Sequence, residues 1–210
     1  MMNKLIGVSG FARSGKDTFC SRASKFLEFH GHTCKTYSFA NALKGELNDL
    51  LLKHTGISAF TEVDSEKDII RPLLVTYGTD VRRRLNSSCW IESIEEKVSS
   101  DLSLGHYVFI SDVRFLNEAE WVKSLGGYLF NIQRHNVSAA NSDESNQYKL
   151  FNKLVDYKIS WPTFEQDSLS NCDDYVVKLF NEPSAGDIFP ISHDFIDLKS
   201  KKNLEAQTQT

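Results

Sequence analysis

No apolar run in the sequence approaches the length needed to cross a bilayer, which argues against a membrane-spanning protein. Cysteine is scarce as well. Cys20, Cys34, Cys89 and Cys172 are widely scattered and form no C-x-x-C pair, so neither a disulfide framework nor a zinc site is expected. They read as reduced core or boundary residues of a cytoplasmic protein. Positive charge is not in excess: 24 Lys and Arg stand against 28 Asp and Glu, a net charge of −4. Without a sustained basic face no nucleic-acid polymer is expected as the main ligand, whereas a small anion needs only a local positive pocket. His30, His32, His54, His106, His135 and His193 show no metal-ligand spacing and take no role. The opening Met1-Met2-Asn3-Lys4 and a short apolar run imitate a signal peptide, but Gly10 to Lys16 interrupts the pattern. There is no internal repeat.

What the chain does have is Gly10 to Thr18, G-F-A-R-S-G-K-D-T, between an apolar run (Leu5, Ile6, Gly7, Val8) and a helix-like stretch. Gly10, four residues, Gly15 and Lys16 have the spacing of a phosphate-binding P-loop, in which backbone N–H groups and a helix N-terminus surround phosphate oxygens. A nucleoside triphosphate is therefore the expected ligand. The strict pattern wants Ser or Thr after the Lys to place a hydroxyl on Mg²⁺; this chain has Asp17, then Thr18. A carboxylate is also a hard oxygen donor, so Asp17 can hold the ion directly or through water, and Thr18 can bond an inner phosphate. The plainer alternative is a strand-to-helix turn with an Asp in the first helical turn.

A length of 210 residues suits one α/β domain. Strands are expected at Leu5 to Ser9, Thr33 to Phe39, His106 to Ser111, Tyr128 to Gln133 and, at an edge, Val155 to Ile159. Helices are expected around Cys20, Ala23 and Leu27, around Leu43, Leu47, Leu50 and Leu51, after Pro72 in a first turn, around Ile91, Ile94 and Val98, at Glu118 to Leu125, and around Leu169, Cys172, Val176 and Leu179. A polar, irregular connection lies between about His54 and Lys67. Helices follow one another from about 40 to 100 without a strand, which reads as a helical insertion. The segment from about 135 to 150 is poor in periodicity and reads as a lid-like loop. The P-loop domain would then span 1–182, with 183–210 a tail that packs near Ile188 to Ile196 and is disordered beyond. Alternating strands and helices predict a doubly wound, mainly parallel sheet that binds ligands at the carboxyl ends of its strands.

Candidate chemical groups fall at those ends. Asp112 stands where a P-loop protein keeps an acidic residue for Mg²⁺ or its waters, or else it caps a turn. No Glu follows it, which favours phosphoryl transfer over coupled hydrolysis. Arg114 and Arg134 follow successive strands and suit the transferring phosphoryl group, or else surface ion pairs. Arg13 lies inside the loop. Arg82-Arg83-Arg84 place three cations in one turn of the insertion; at least one should face an anionic second substrate, and the others a solvated surface. Trp90 would line a base pocket or the core, and Phe39 and Lys44 would floor and gate it.

In order along the chain, G-F-A-R-S-G-K-D-T, S-F-A-N-A-L-K, Y-G-T-D-V-R-R, C-W-I-E and F-I-S-D-V-R-F-L-N-E-A-E-W resemble the phage-type deoxynucleoside monophosphate kinases, over about residues 4 to 180. The resemblance implies a P-loop kinase core and transfer of the ATP γ-phosphoryl group to a deoxynucleoside monophosphate, in the cytoplasm of a host if the source is a phage. By position it places Gly10, Arg13, Ser14, Gly15, Lys16, Asp17 and Thr18 on ATP and Mg²⁺, and Lys44, Arg82, Arg83 and Trp90 in the acceptor site. Asp112 and Arg114 fall between the two sites, and Arg134 near the lid. Asp17 after the Lys is usual in that family. Ser142-Asp143-Glu144-Ser145 matches its lid element only approximately, and residues 183–210 have no counterpart. Two alternatives stay open: a P-loop kinase for another small acceptor such as phosphomevalonate, and an ATP-dependent switch or binding module. The sequence allows a homodimer and names no membrane partner.

Overall fold

The computed structural model describes residues 4–139, 142–163 and 171–181. Five parallel strands form one sheet in the order β2-β3-β1-β4-β5. They are β1 (Leu5–Ser9), β2 (Cys34–Tyr37), β3 (Tyr107–Val113), β4 (Tyr128–Arg134) and β5 (Tyr157–Trp161). The central strands are buried on both sides, so they read as continuous apolar runs rather than as alternation. Side chains nevertheless alternate between two cores. Ile6, Val8, Phe109, Phe130 and Ile132 pack with Phe19, Ala23 and Leu27 of α1 (Lys16–Phe29) and Val176 and Leu179 of α7 (Asn171–Asn181). Leu5, Val108, Ile110 and Leu129 pack on the other face, against Ile94 and Val98 of α4 (Cys89–Ser103) and Ala119 and Val122 of α5 (Leu116–Ser124). Each fully buried Phe here contributes about 1.5–3 kcal/mol.

Between β2 and β3 the chain builds α2 (Phe39–Thr55), α3 (Asp64–Val75), a π-helical stretch (Thr76–Arg83) and α4. The expected helical insertion therefore exists, and Leu47, Leu51, Ala59 and Ile70 give it a small core of its own. Of the boundaries that differ from the sequence reading, β5 runs over Tyr157–Trp161, two residues later than expected, Arg134 is the last residue of β4 rather than past it, and four more bear on the insertion and the site. Pro72 lies inside α3 rather than in a first turn, because α3 begins at Asp64, where the irregular connection was expected to continue. β2 stops at Tyr37, because Ser38 turns to cap α2 and accepts the Asn41 N–H. Asp112 lies within β3 rather than after it. Of the lid-like segment, Ser142–Phe151 is helix α6, whose Tyr148 and buried Phe151 join the core on the α5 side. The tail, 183–210, and Leu169 lie outside the described residues.

Candidate active site

The loop between β1 and α1 has the backbone that its glycines permit. Gly10 has φ +148° and Gly15 φ +94°. A Cβ on Gly10 would lie 2.4 Å from the Ile132 carbonyl oxygen, and one on Gly15 would lie 2.8 Å from the Trp161 ring. Arg13 takes φ +64° and is exposed. Ser14 is buried, its N–H donating to the Phe11 carbonyl, while its hydroxyl has no hydrogen-bond partner in the structure. Lys16 folds back over the loop and donates to the carbonyls of Gly10 and Phe11, each at 2.9 Å. Burial, then the nearby Arg114 guanidinium, holds its ammonium below the usual lysine range; Asp17, Glu144 and Asp112 act in the opposite direction. Lys16 thus sits among one cation and three carboxylates drawn from α1, β3, α6 and the connection after β3.

Two residues outside the loop brace it. Trp161, at the end of β5, donates its indole N–H to the Ser14 carbonyl at 2.9 Å. Glu144, on α6, accepts the Ala12 N–H at 2.9 Å, so a carboxylate occupies one loop-edge amide. Asp17 is exposed in the first turn of α1, and Thr18 is half-buried beside it.

At the end of β3, Asp112 is buried and accepts three hydrogen bonds: from the Ser38 hydroxyl and the N–H groups of Phe39 and Ala40. It caps α2, an element more than 70 residues away in sequence, and not the turn that follows it. Arg114 is exposed and lines a cleft of about 210 Å³ together with Phe39, Lys44, Arg83, Trp90 and Asp112. Arg134 ends β4, opposite Trp161 in the ladder, with its Nε buried and unpartnered. It is not among the residues lining this cleft.

The three insertion arginines separate. Arg83 enters the cleft, stacks on the Phe115 ring at 3.9 Å and pairs with the buried Glu118 carboxylate. Arg82 stays outside the lining, because Glu46 holds its guanidinium at 2.9 Å while Trp90 lies beneath it at 5.5 Å. Arg84 is exposed. Trp90 is 3 % exposed and donates to the Gly78 carbonyl, so it serves as core and wall together. Lys44 lies over the Phe60 ring at the cleft's rim. A larger recess of about 490 Å³ lies between β2, α2 and α4, but Lys97 is the cation in its lining and none of the arginines reaches it. Charge rather than volume therefore distinguishes the smaller cleft.

No family model matches the chain. A protein of Acanthamoeba polyphaga mimivirus named "Putative deoxynucleotide monophosphate kinase" is 31 % identical over 163 residues, covering 67 % of this chain and 79 % of the relative. The chain belongs to the deoxynucleotide monophosphate kinase family. Among solved structures, TT1252 from Thermus thermophilus aligns over 83 % of this chain and 96 % of its own, at 12 % identity and a TM-score of 0.44. A sugar kinase from Janibacter sp. HTCC2649 aligns over 84 % and 94 %, at 9 % identity and a TM-score of 0.41. At these scores they add nothing to what the sheet order shows.

For this kinase, the donor set around Lys16 fits a triphosphate with its metal. The two glycines let the loop backbone pack against Ile132 and Trp161 where a Cβ would clash, and the buried Ser14 hydroxyl has no hydrogen-bond partner among the described residues. Asp17 offers an uncommitted carboxylate, and Asp112 has about one lone-pair site left after its three bonds. Hard oxygens of this number suit Mg²⁺, which takes one or two carboxylates and otherwise phosphate and water. Among the described residues no group of three His, Cys, Asp or Glu could hold a metal alone. Sequence reasoning missed Glu118, Glu46, Ser38 and Trp161 as site residues, and reached Glu144 only through an approximate lid match. Only Glu118 and Ser38 carried a local signal, as an N3 glutamate and an N-cap serine; the others act across long sequence separations.

Proposed function

We propose that the protein transfers the γ-phosphoryl group of ATP to a deoxynucleoside 5′-monophosphate, yielding ADP and the deoxynucleoside diphosphate. The observation that carries this reading is the cleft between the helical insertion and the segment that joins β3 to α5. It is lined by Arg83, Arg114 and Lys44, opens at the end of β3, and lies within electrostatic reach of Lys16. A site built only for hydrolysis has no need of a second anion pocket.

Gly10, Ser14, Gly15, Lys16 and Thr18 hold the triphosphate, and Arg13 stands at its outer edge. Asp17 and Asp112 would hold Mg²⁺, which would supply charge neutralisation on the phosphates. Phe39 and Trp90 wall the acceptor's base and sugar, Arg83 takes its phosphate, and Arg114 stands between acceptor and donor. An acceptor phosphate oxygen attacks the γ-phosphorus, the bond to the β–γ bridging oxygen breaks, and the electron pair leaves with ADP. The acceptor is already an anion, so no strong general base is needed; positioning and charge neutralisation do the work. Arg134 and α6 take the place of a lid beside the loop.

Product analysis tests the reading. With ATP, Mg²⁺ and each deoxy- and ribonucleoside monophosphate, and phosphomevalonate, in turn, chromatography should show a diphosphate of the added deoxynucleotide. Phosphorylation of phosphomevalonate alone, or of none of these, would overturn it.

A further inference from the structure

The two arginine pairs of the insertion are built differently. Arg82 and Glu46 are both about one-third exposed, a surface pairing of small energetic weight. Arg83 and Glu118 are 13 % and 1 % exposed. The Glu118 carboxylate also accepts the N–H of Arg114 at 2.8 Å and that of Phe115 at 3.0 Å, so all its bonds go to the start of α5 and to Arg83. A buried carboxylate costs several kcal/mol in desolvation. Burial pushes the Glu118 carboxyl above its usual range, and the Arg83 cation, ahead of the two amides, acts to hold it ionised. Arg83 is further fixed by the Phe115 ring beneath it and by the Ser87 carbonyl, which Nη1 reaches at 3.4 Å. These two bonds engage two of its five N–H donors, and the guanidinium lines the cleft.

From these contacts we infer that Glu118 is a positioning residue that holds the Arg83 guanidinium towards the acceptor's phosphate while fixing the backbone at Arg114, thereby tying the helical insertion to the end of β3. The inference rests on the acceptor site proposed above. It adds that orientation of Arg83, and not its charge alone, sets acceptor affinity, and that the acceptor arginine and the transfer arginine share one anchor.

Glu118→Gln is the direct test. Its amide oxygen still accepts from Arg114 and Phe115, while its NH₂ faces Arg83 without charge. The acceptor KM should rise at least about tenfold, with the ATP KM changed less than about twofold, since charge-assisted bonds of this kind weigh about 1.5–3 kcal/mol. In an Arg83→Met background the same substitution should add nothing, because there is no guanidinium left to orient. The double variant leaves no unpaired buried charge, so it reports even if Glu118→Gln alone fails to fold. An unchanged acceptor KM in folded Glu118→Gln, or effects that multiply in the double variant, would overturn the inference while leaving the kinase reading standing. A wild-type protein without acceptor-dependent ADP release would overturn the kinase reading itself.

Discussion

The acceptor-site assignment turns on two neighbouring arginines whose side chains take opposite courses. Arg83 lines the cleft and Arg82 is held by Glu46 on the other side of Trp90. Arg83→Ala should raise the acceptor KM about ten- to a hundredfold, and Arg82→Ala less than about threefold, with the ATP KM unaffected in both. Steady-state kinetics on the two variants checks this, and equal effects would mean that the cleft is not the phosphate site. Asp17 is exposed and uncommitted, so Asp17→Ala should shift activity to higher Mg²⁺ without altering thermal stability beyond about 0.5 kcal/mol. Wild-type activity at limiting Mg²⁺ would leave Asp17 as a helix-end residue only. Asp112 differs: its three bonds to the start of α2 make it a structural cap as well, so its loss cannot isolate a metal role.

Among the elements, the P-loop is the one most constrained by its neighbours. Gly15→Ala places a Cβ 2.8 Å from the Trp161 ring at a backbone angle costing about 1–2 kcal/mol for an L-residue. The melting temperature should fall by about 2–8 °C, and the ATP KM should rise more than the acceptor KM. Calorimetry with parallel kinetics checks both; a loop that tolerates the methyl in both measurements would contradict this packing. The elements also show what the sequence could and could not reveal. β1 and the loop after it are legible because a short strand buried on both faces, a glycine pair and a lysine form a local pattern. α4 and α5 are legible from apolar spacing of the residues that meet the sheet. α6 is hidden by its Ser, Asn and Asp content: only Tyr148 and Phe151 mark its packed side. Pro72 misleads for a different reason. It sits on the exposed side of α3, where the lost N–H bond is tolerated and gives no sign of where the helix began eight residues earlier. Which arginine of three would enter the cleft was not legible at all, because it depends on Glu46 and Glu118, which lie 36 and 35 residues from their partners.

Across the whole molecule, the sheet order sets β1 between β3 and β4, and the chain between β2 and β3 supplies the insertion that lines the cleft at the end of β3. No described helix is long and apolar enough to cross a membrane. The insertion's attachment to the sheet edge is testable through pH. Tyr37 of β2 donates to Asp101 of α4, and burial together with that bond pushes the phenol up to about 12 from 10.0. Below pH 10 the tyrosine is protonated in folded and unfolded chains and its contribution is complete. Above it the unfolded chain loses the proton first, so stability falls as pH rises towards about 12. Denaturation midpoints over that range should fall more steeply for wild type than for Tyr37→Phe, and parallel slopes would contradict the coupling. The most direct measurement of the central claim is ADP formation from ATP with and without a deoxynucleoside monophosphate, in wild type and in Lys16→Met. The expected result is ADP formation that requires the monophosphate, matches it mole for mole, and is lost in folded Lys16→Met. ATP consumption at the same rate without an acceptor, or full turnover without the Lys16 ammonium, would contradict it.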